Sequence, residues 1–221
     1  MSDNQIETFK VVLLGESGVG KTSIISQFID QNFQEDLQSS TGGTFSSKSF
    51  TYGGGKILKF EIWDTAGQER YRSLTKMFYK DANAAILVYD ITRKITFEEL
   101  QSYWVEQIKE SAPPNILLAV VANKSDLEEE DVDEGQARNY AQELGAIFCT
   151  TSAKSRHGID DLFLQIARKH TGANDVQIKN DEDDVPNIAN NEAEDRMNKN
   201  GTMKISKEKT INPIQKKKKC C

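Results

Sequence analysis

A chain of 221 residues can hold one domain with an extension, or two very small domains. With 37% hydrophobic and 28% charged residues it suits a soluble globular protein with a polar extension, and a formal net charge of -6 argues against nucleic-acid binding through bulk electrostatics. Three cysteines make no disulfide framework: Cys149 sits in an apolar stretch, while Cys220 and Cys221 end the chain, which fits a reducing, intracellular compartment. Residues 1–9 lack a cationic segment followed by an apolar one, so no signal peptide is expected, and the apolar run 11–14 is far too short to cross a bilayer.

In chain order, apolar β-rich runs alternate with helical patterns. Strands are expected at 9–14, 46–51, 58–63, 84–90, 116–123 and 146–152, several of them continuously apolar, as strands covered on both faces are. Gly53-Gly54-Gly55 between the second and third runs reads as a hairpin turn, which makes one edge strand antiparallel. Helices are expected at 21–31, in a short piece near 73–79, and at 97–111, 134–144 and 159–169. Thr96 and Glu99 read as a capping box with Ile95 and Leu100 as its hydrophobic staple, and Pro113-Pro114 as the stop. The alternation predicts an α/β fold with a mostly parallel six-stranded sheet and about five helices. One domain of roughly 170 residues buries about 70% of its unfolded surface and needs no metal or disulfide staple. From Gly172 the chain turns to Asn, Asp, Glu and Lys without periodicity. The expected organisation is a folded domain at 1–171 and a disordered tail at 172–221.

Four motifs fall at carboxyl ends of expected strands. Gly15-Glu16-Ser17-Gly18-Val19-Gly20-Lys21-Thr22, with Ser23 next in the helix start, fits a phosphate-binding loop. Its glycines let backbone N–H groups wrap phosphates, the helix start adds partial positive charge, Lys21 reaches the β- and γ-phosphates, and Thr22 ligates Mg²⁺. Asp64-Thr65-Ala66-Gly67-Gln68 comes next. At that spacing Asp64 can face Mg²⁺, Gly67 can offer its N–H to a γ-phosphate, and Gln68 can orient an attacking water. In Asn123-Lys124-Ser125-Asp126 the last carboxylate can accept two hydrogen bonds from guanine, while Lys124 lays its stem over the base. Adenine would leave that carboxylate without partners, at a cost of roughly 1.5–3 kcal/mol. Ser152-Ala153-Lys154 ends a further strand, where the Ala153 N–H could meet guanine O6. Each motif alone has a bland reading as a turn; their order along one sheet edge reads as one site.

Together these four elements resemble the small GTPases of the Ras superfamily, and several further stretches resemble its Rab family: Lys59-Phe60-Glu61-Ile62-Trp63, Glu69-Arg70-Tyr71-Arg72-Ser73-Leu74, Phe78-Tyr79-Lys80-Asp81-Ala82 and Leu87-Val88-Tyr89-Asp90-Ile91-Thr92. The terminal Cys220-Cys221 is also Rab-like. The resemblance covers about 9–169 and the last two residues. It implies a P-loop GTPase fold and a switch that binds GTP and GDP with Mg²⁺, hydrolyses GTP slowly, and recruits effectors in membrane trafficking. It implies that Phe33 packs on the guanine, that the first switch lies between Phe33 and Phe45, and that the second starts at Gly67. It further implies exchange factors, GTPase-activating proteins, effectors and a prenyl-binding chaperone as partners, and a monomeric domain. It places the protein on the cytoplasmic face of endomembranes, cycling with the cytosol, through geranylgeranyl groups on Cys220 and Cys221. The family's Thr-Ile-Gly-Val-x-Phe is here Ser40-Thr41-Gly42-Gly43-Thr44-Phe45, so either Ser40 or Thr41 is the hydroxyl ligand of Mg²⁺.

Other residues read as ordinary structure. Cys149, Phe97 and Trp104 are expected in the core, and His157 and His170 at the surface with no metal constellation. Two other functions compete: a GTP-holding scaffold with negligible hydrolysis, against which Gln68 argues, and an ATP-using P-loop kinase, against which Asp126 argues.

Overall fold

In a computed structural model of the chain, residues 6–35, 43–65 and 77–179 are described. The alternation of apolar runs and amphipathic helices folds as seven strands and helices packed on both faces of the sheet. The strands are β1 (Ile6–Leu14), β2 (Thr44–Tyr52), β3 (Lys56–Asp64), β4 (Ala84–Asp90), β5 (Leu117–Asn123), β6 (Ile147–Thr151) and β7 (Gln177–Ile178). The helices are α1 (Lys21–Asp30), α2 (Lys94–Glu99), which runs through a π-helical turn (Leu100–Trp104) into α3 (Val105–Ser111), then α4 (Glu134–Glu143) and α5 (Ile159–Thr171). Residues 77–79 form a further helical turn, and the rest of the short helix expected near 73–79 lies outside the described residues.

The sheet order is β6-β5-β4-β1-β3-β2-β7. Strands β6, β5, β4, β1 and β3 are parallel, and β2 is antiparallel to β3. Period-two alternation splits the core between the faces. Val11 and Leu13 of β1, Ile86 and Val88 of β4 and Val121 of β5 meet Ile24, Phe28, Leu162, Phe163 and Ile166 of α1 and α5. The intervening Val12, Leu14, Leu87, Tyr89 and Val120 meet Phe97, Leu100, Trp104, Ile108 and Ala137 on the other face. Cys149, Phe97 and Trp104 are buried as expected.

Three expectations need correction. Among the described residues the sheet has seven strands, not six: β7 pairs antiparallel with β2, Ile178 opposite Phe50 and Gln177 opposite Thr51. The ordered chain therefore continues past the boundary expected at Gly172. Val176 is buried, Asp175 accepts a hydrogen bond from the Gly53 N–H at 2.9 Å, and the Lys179 N–H donates to the Ser49 carbonyl at 2.8 Å. The third correction concerns the capping box. The helix starts at Lys94 with Arg93 as its extended cap residue, and Ile95 is 58% exposed, so it is no staple. Thr96 is fully buried instead. Its hydroxyl donates to the Arg93 carbonyl at 2.7 Å and accepts from the Asp90 N–H at 3.0 Å. Tying the end of β4 to the helix start outweighed the local capping preference.

Parallel pairing brings the strand ends level. Leu13 lies opposite Asp64, Asp90 opposite Asn123, and Asn123 opposite Thr151. Every motif of the sequence thus begins at one carboxyl edge of the sheet, flanking the point where β1 separates β3 from β4, which is where open α/β sheets hold ligands.

Candidate functional site

At that edge lies a cavity of about 320 Å³. Ser17, Gly18, Gly20, Lys21, Thr22 and Ser23 form one wall, Phe33 a second, and Asn123, Lys124, Asp126, Ala153 and Lys154 a third. Gly15, Glu16 and Val19 contribute as backbone of the same loop, and the Val19 side chain is in the core. Gly67 and Gln68, Ser40 and Thr41, and Cys220 and Cys221 lie outside the described residues.

The phosphate loop is tied down from several sides. Lys21 is almost fully buried and donates to the Gly15 and Glu16 carbonyls, both at 2.9 Å. Burial lowers its ammonium to about 8, against the opposing pull of Asp64 and Glu16. A buried cation at the floor of a glycine-walled cavity is a seat for an anion. Gly20 adopts φ 96, and a Cβ there would lie 2.3 Å from Asn123 Nδ2. The glycine thus permits both the left-handed turn into α1 and the amide contact. Asn123 Nδ2 donates to the Val19 carbonyl at 2.8 Å, and its Oδ1 accepts from Thr151 Oγ1 at 3.0 Å. Asn123 therefore braces β5, β6 and the loop while lining the cavity.

Asp64 sits at the end of β3, 1% exposed, and accepts the Thr22 hydroxyl at 2.6 Å on Oδ2. A hydroxyl and a carboxylate oxygen side by side, next to the Lys21 floor, are hard donors that fit Mg²⁺. Thr65 extends this floor, donating from Oγ1 to the Leu13 carbonyl at 2.5 Å.

The opposite end of the cavity is built to present one carboxylate. Ser152 Oγ donates to Asp126 Oδ1 at 2.6 Å and accepts from the Ser155 N–H at 3.0 Å. Asp126 is thereby held by one oxygen at the cavity wall. Lys124 takes φ 69, unusual for a residue with a side chain, and its ammonium pairs with Asp90 at 2.6 Å. Gln27 Nε2 donates to the Ala153 carbonyl at 2.8 Å, fixing the Ser152-Ala153-Lys154 loop against α1. Across the mouth Lys154 pairs with Glu35 at 2.9 Å. Phe33 packs against the core cluster of α1 and α5 and lines the cavity.

Sequence reasoning missed Asp90, Arg93 and Glu35. Asp90 had a usable signal, an acidic residue at the carboxyl end of a strand, the same rule that picked out Asp64.

The Ras family profile matches residues 10–171. Ras-related protein Rab-22A of Homo sapiens is 43% identical over 165 residues, covering 74% of this chain and 84% of that protein. The Mus musculus Rab-22A is 42% identical over the same length. Ras-related protein Rab-31 of Homo sapiens is 41% identical over 181 residues, 79% of this chain and 92% of that protein. A cavity walled by a phosphate loop at the carboxyl edge of the sheet is the mark of a P-loop α/β domain, and the chain belongs to the Rab family of small GTPases, within the Ras family.

Proposed function

We propose that this protein is a guanine-nucleotide switch of membrane trafficking, binding GTP and GDP with Mg²⁺ and hydrolysing GTP to GDP. The observation that carries the reading is the pair of cavity ends: a buried ammonium within a glycine loop at one, and a carboxylate held by one oxygen at the other. A nucleoside phosphate whose base offers two adjacent N–H donors matches both. Thr22, next to Asp64, holds Mg²⁺, which when bound neutralises phosphate charge. Asp126 takes guanine N1–H and the 2-amino group, the Ala153 N–H takes O6, and Phe33 and the Lys124 stem sandwich the base. Gln68 orients the attacking water and Gly67 meets the γ-phosphate. Ser40 or Thr41 completes the metal site in the GTP state.

Partners would read the state beside the two switch segments. Phe45 is 51% exposed and Met77 is 73% exposed. Phe45 rests on Trp63 at 5.2 Å between ring centroids, and Trp63 on Phe78 at 5.6 Å. The Phe78 ring lies where a Cβ on Gly43 would be, 2.7 Å away, so the end of the first switch and the start of the helical turn 77–79 touch. This apolar strip is a surface for effectors and regulators. The tail, with Lys216–Lys219 beside Cys220 and Cys221, supplies prenyl attachment to endomembranes and is the segment a prenyl-binding chaperone would hold.

The assignment is tested at Asp126. Asp126→Asn is expected to weaken GTP and GDP binding by about 10-fold or more, the cost of losing a charged hydrogen-bond acceptor. It should also shift preference toward xanthine nucleotides, whose 2-oxo group complements an amide. Competition binding with both nucleotide sets decides it, and unchanged GTP affinity would overturn the base assignment.

A further inference from the structure

The phosphate loop is shaped by what its carbonyls are bonded to. Gly15 and Glu16 carbonyls accept from Lys21, the Val19 carbonyl from Asn123, and the Gly20 carbonyl from the Ile24 N–H at 2.9 Å. The Ser17 carbonyl accepts from Arg93 Nη2 at 3.2 Å. Arg93 comes from outside the loop, between β4 and α2, where it is the cap residue. Its own position is set by Asp90, 1% exposed, whose Oδ2 lies 3.8 Å from Arg93 Nε and 2.6 Å from Lys124 Nζ. The other oxygen of Asp90 accepts from the Thr92 N–H at 3.0 Å and the Thr92 hydroxyl at 2.8 Å, so the carboxylate cannot swing away without breaking bonds.

Across a trans peptide the carbonyl of one residue and the N–H of the next point in opposite directions, and the described chain contains no cis peptide bond. Holding the Ser17 carbonyl toward Arg93 turns the Gly18 N–H the opposite way. Gly18 lines the cavity, and its φ of 78 leaves the glycine little intrinsic preference of its own. A Cβ built on Gly18 would lie 3.6 Å from Arg93 Nη1, so the guanidinium packs along the outer side of this turn. Asn123 does the same for the next peptide but one, holding the Val19 carbonyl and so aiming the Gly20 N–H.

We infer that Arg93 is a positioning residue for the phosphate end of the site, holding the outer turn of the loop so that the Gly18 N–H meets the β-phosphate region of a nucleotide. Through Asp90 the same device joins the phosphate loop to Lys124 at the base end. The inference rests on the nucleotide reading above and names a residue outside its four motifs. Arg93 acts through the loop rather than on a reacting atom: its Nη2 donates to the Ser17 carbonyl, and its Nε lies 3.8 Å from the Asp90 carboxylate. Its side chain is 44% exposed, so substitution leaves the core untouched.

The test uses the full chain with Arg93→Ala and Arg93→Lys. Arg93→Ala is expected to speed GDP release in the presence of Mg²⁺ by about three- to tenfold, the size of a partly exposed charge-assisted hydrogen bond. Arg93→Lys, which keeps a cationic donor, should restore release to within about twofold. GMP, which has no β-phosphate, should bind wild type and Arg93→Ala alike, measured by competition. Unchanged GDP release in Arg93→Ala overturns the inference. So does an equal loss of GMP and GDP affinity, which would place the effect at the base through Asp90 and Lys124. A wild-type chain that holds no GDP overturns the nucleotide reading and this inference together, so the two failures are distinguishable.

Discussion

Gln68 and Cys149 make opposite demands on a single side chain. Gln68→Leu keeps the volume and removes the amide that orients water. It should leave GTP affinity within about twofold and abolish most of the turnover stimulated by an activating protein, followed as phosphate release. A variant that still responds fully would remove Gln68 from the mechanism. For Cys149, burial pushes the thiol up to about 11, and Gln165 Nε2 lies 3.4 Å from its sulfur. It is therefore a neutral thiol at physiological pH and a poor nucleophile. In a Cys220→Ser, Cys221→Ser background, a thiol reagent should label Cys149 only after denaturation. Rapid labelling of the native protein would show that the helix packed over β6 opens readily.

Among the elements, the loop after β6 is sharply constrained by sterics. Gly158 stands at φ 67 before α5, and a Cβ there would lie 2.2 Å from the Thr150 carbonyl. Gly158→Ala must move backbone rather than a side-chain tip, and should cost at least about 2 kcal/mol in urea unfolding. Because Ser152 donates its N–H to the His157 carbonyl at 3.0 Å in this loop, the same variant should also weaken guanine nucleotides. A stable variant with normal affinity would refute that coupling. The sequence made these elements legible wherever burial and period agreed. Strand β4 was read to the residue, and the other principal strands and helices to within about three. It misled where a side chain had a tertiary alternative, as at Thr96, which binds Asp90 instead of capping. Strand β7 was invisible because two residues carry no period. Asp90 and Arg93 were passed over because their value lies in partners remote in sequence, Lys124 and Ser17, that only the folded sheet brings near.

For the whole molecule, membrane attachment is expected to reside in the last residues alone. Cys220→Ser with Cys221→Ser should leave GTP binding unchanged and move the protein from membrane to soluble fractions. Changing Lys216, Lys217, Lys218 and Lys219 to Gln should weaken attachment less, since each lysine adds only about 1 kcal/mol near an anionic leaflet. A double-cysteine variant that still sediments with membranes would refute the lipid anchor. The clip of β7 on β2 then acquires a mechanical meaning. A pull on the tail from a membrane loads the backbone pairs at Phe50 and Thr51, together with the Lys179–Ser49 and Asp175–Gly53 bonds, before it loads α5. So few bonds peel one at a time, whereas the central parallel strands are held along their length on both sides. The clip would act as a weak link in series, yielding first and paying out the eight residues 172–179, at up to about 3.5 Å each or roughly 28 Å of slack. In single-molecule stretching of the GDP-bound chain held by its C-terminal end, a short low-force extension should precede domain unfolding. Replacing Val176 with Asp should remove that first step while leaving the main rupture in place.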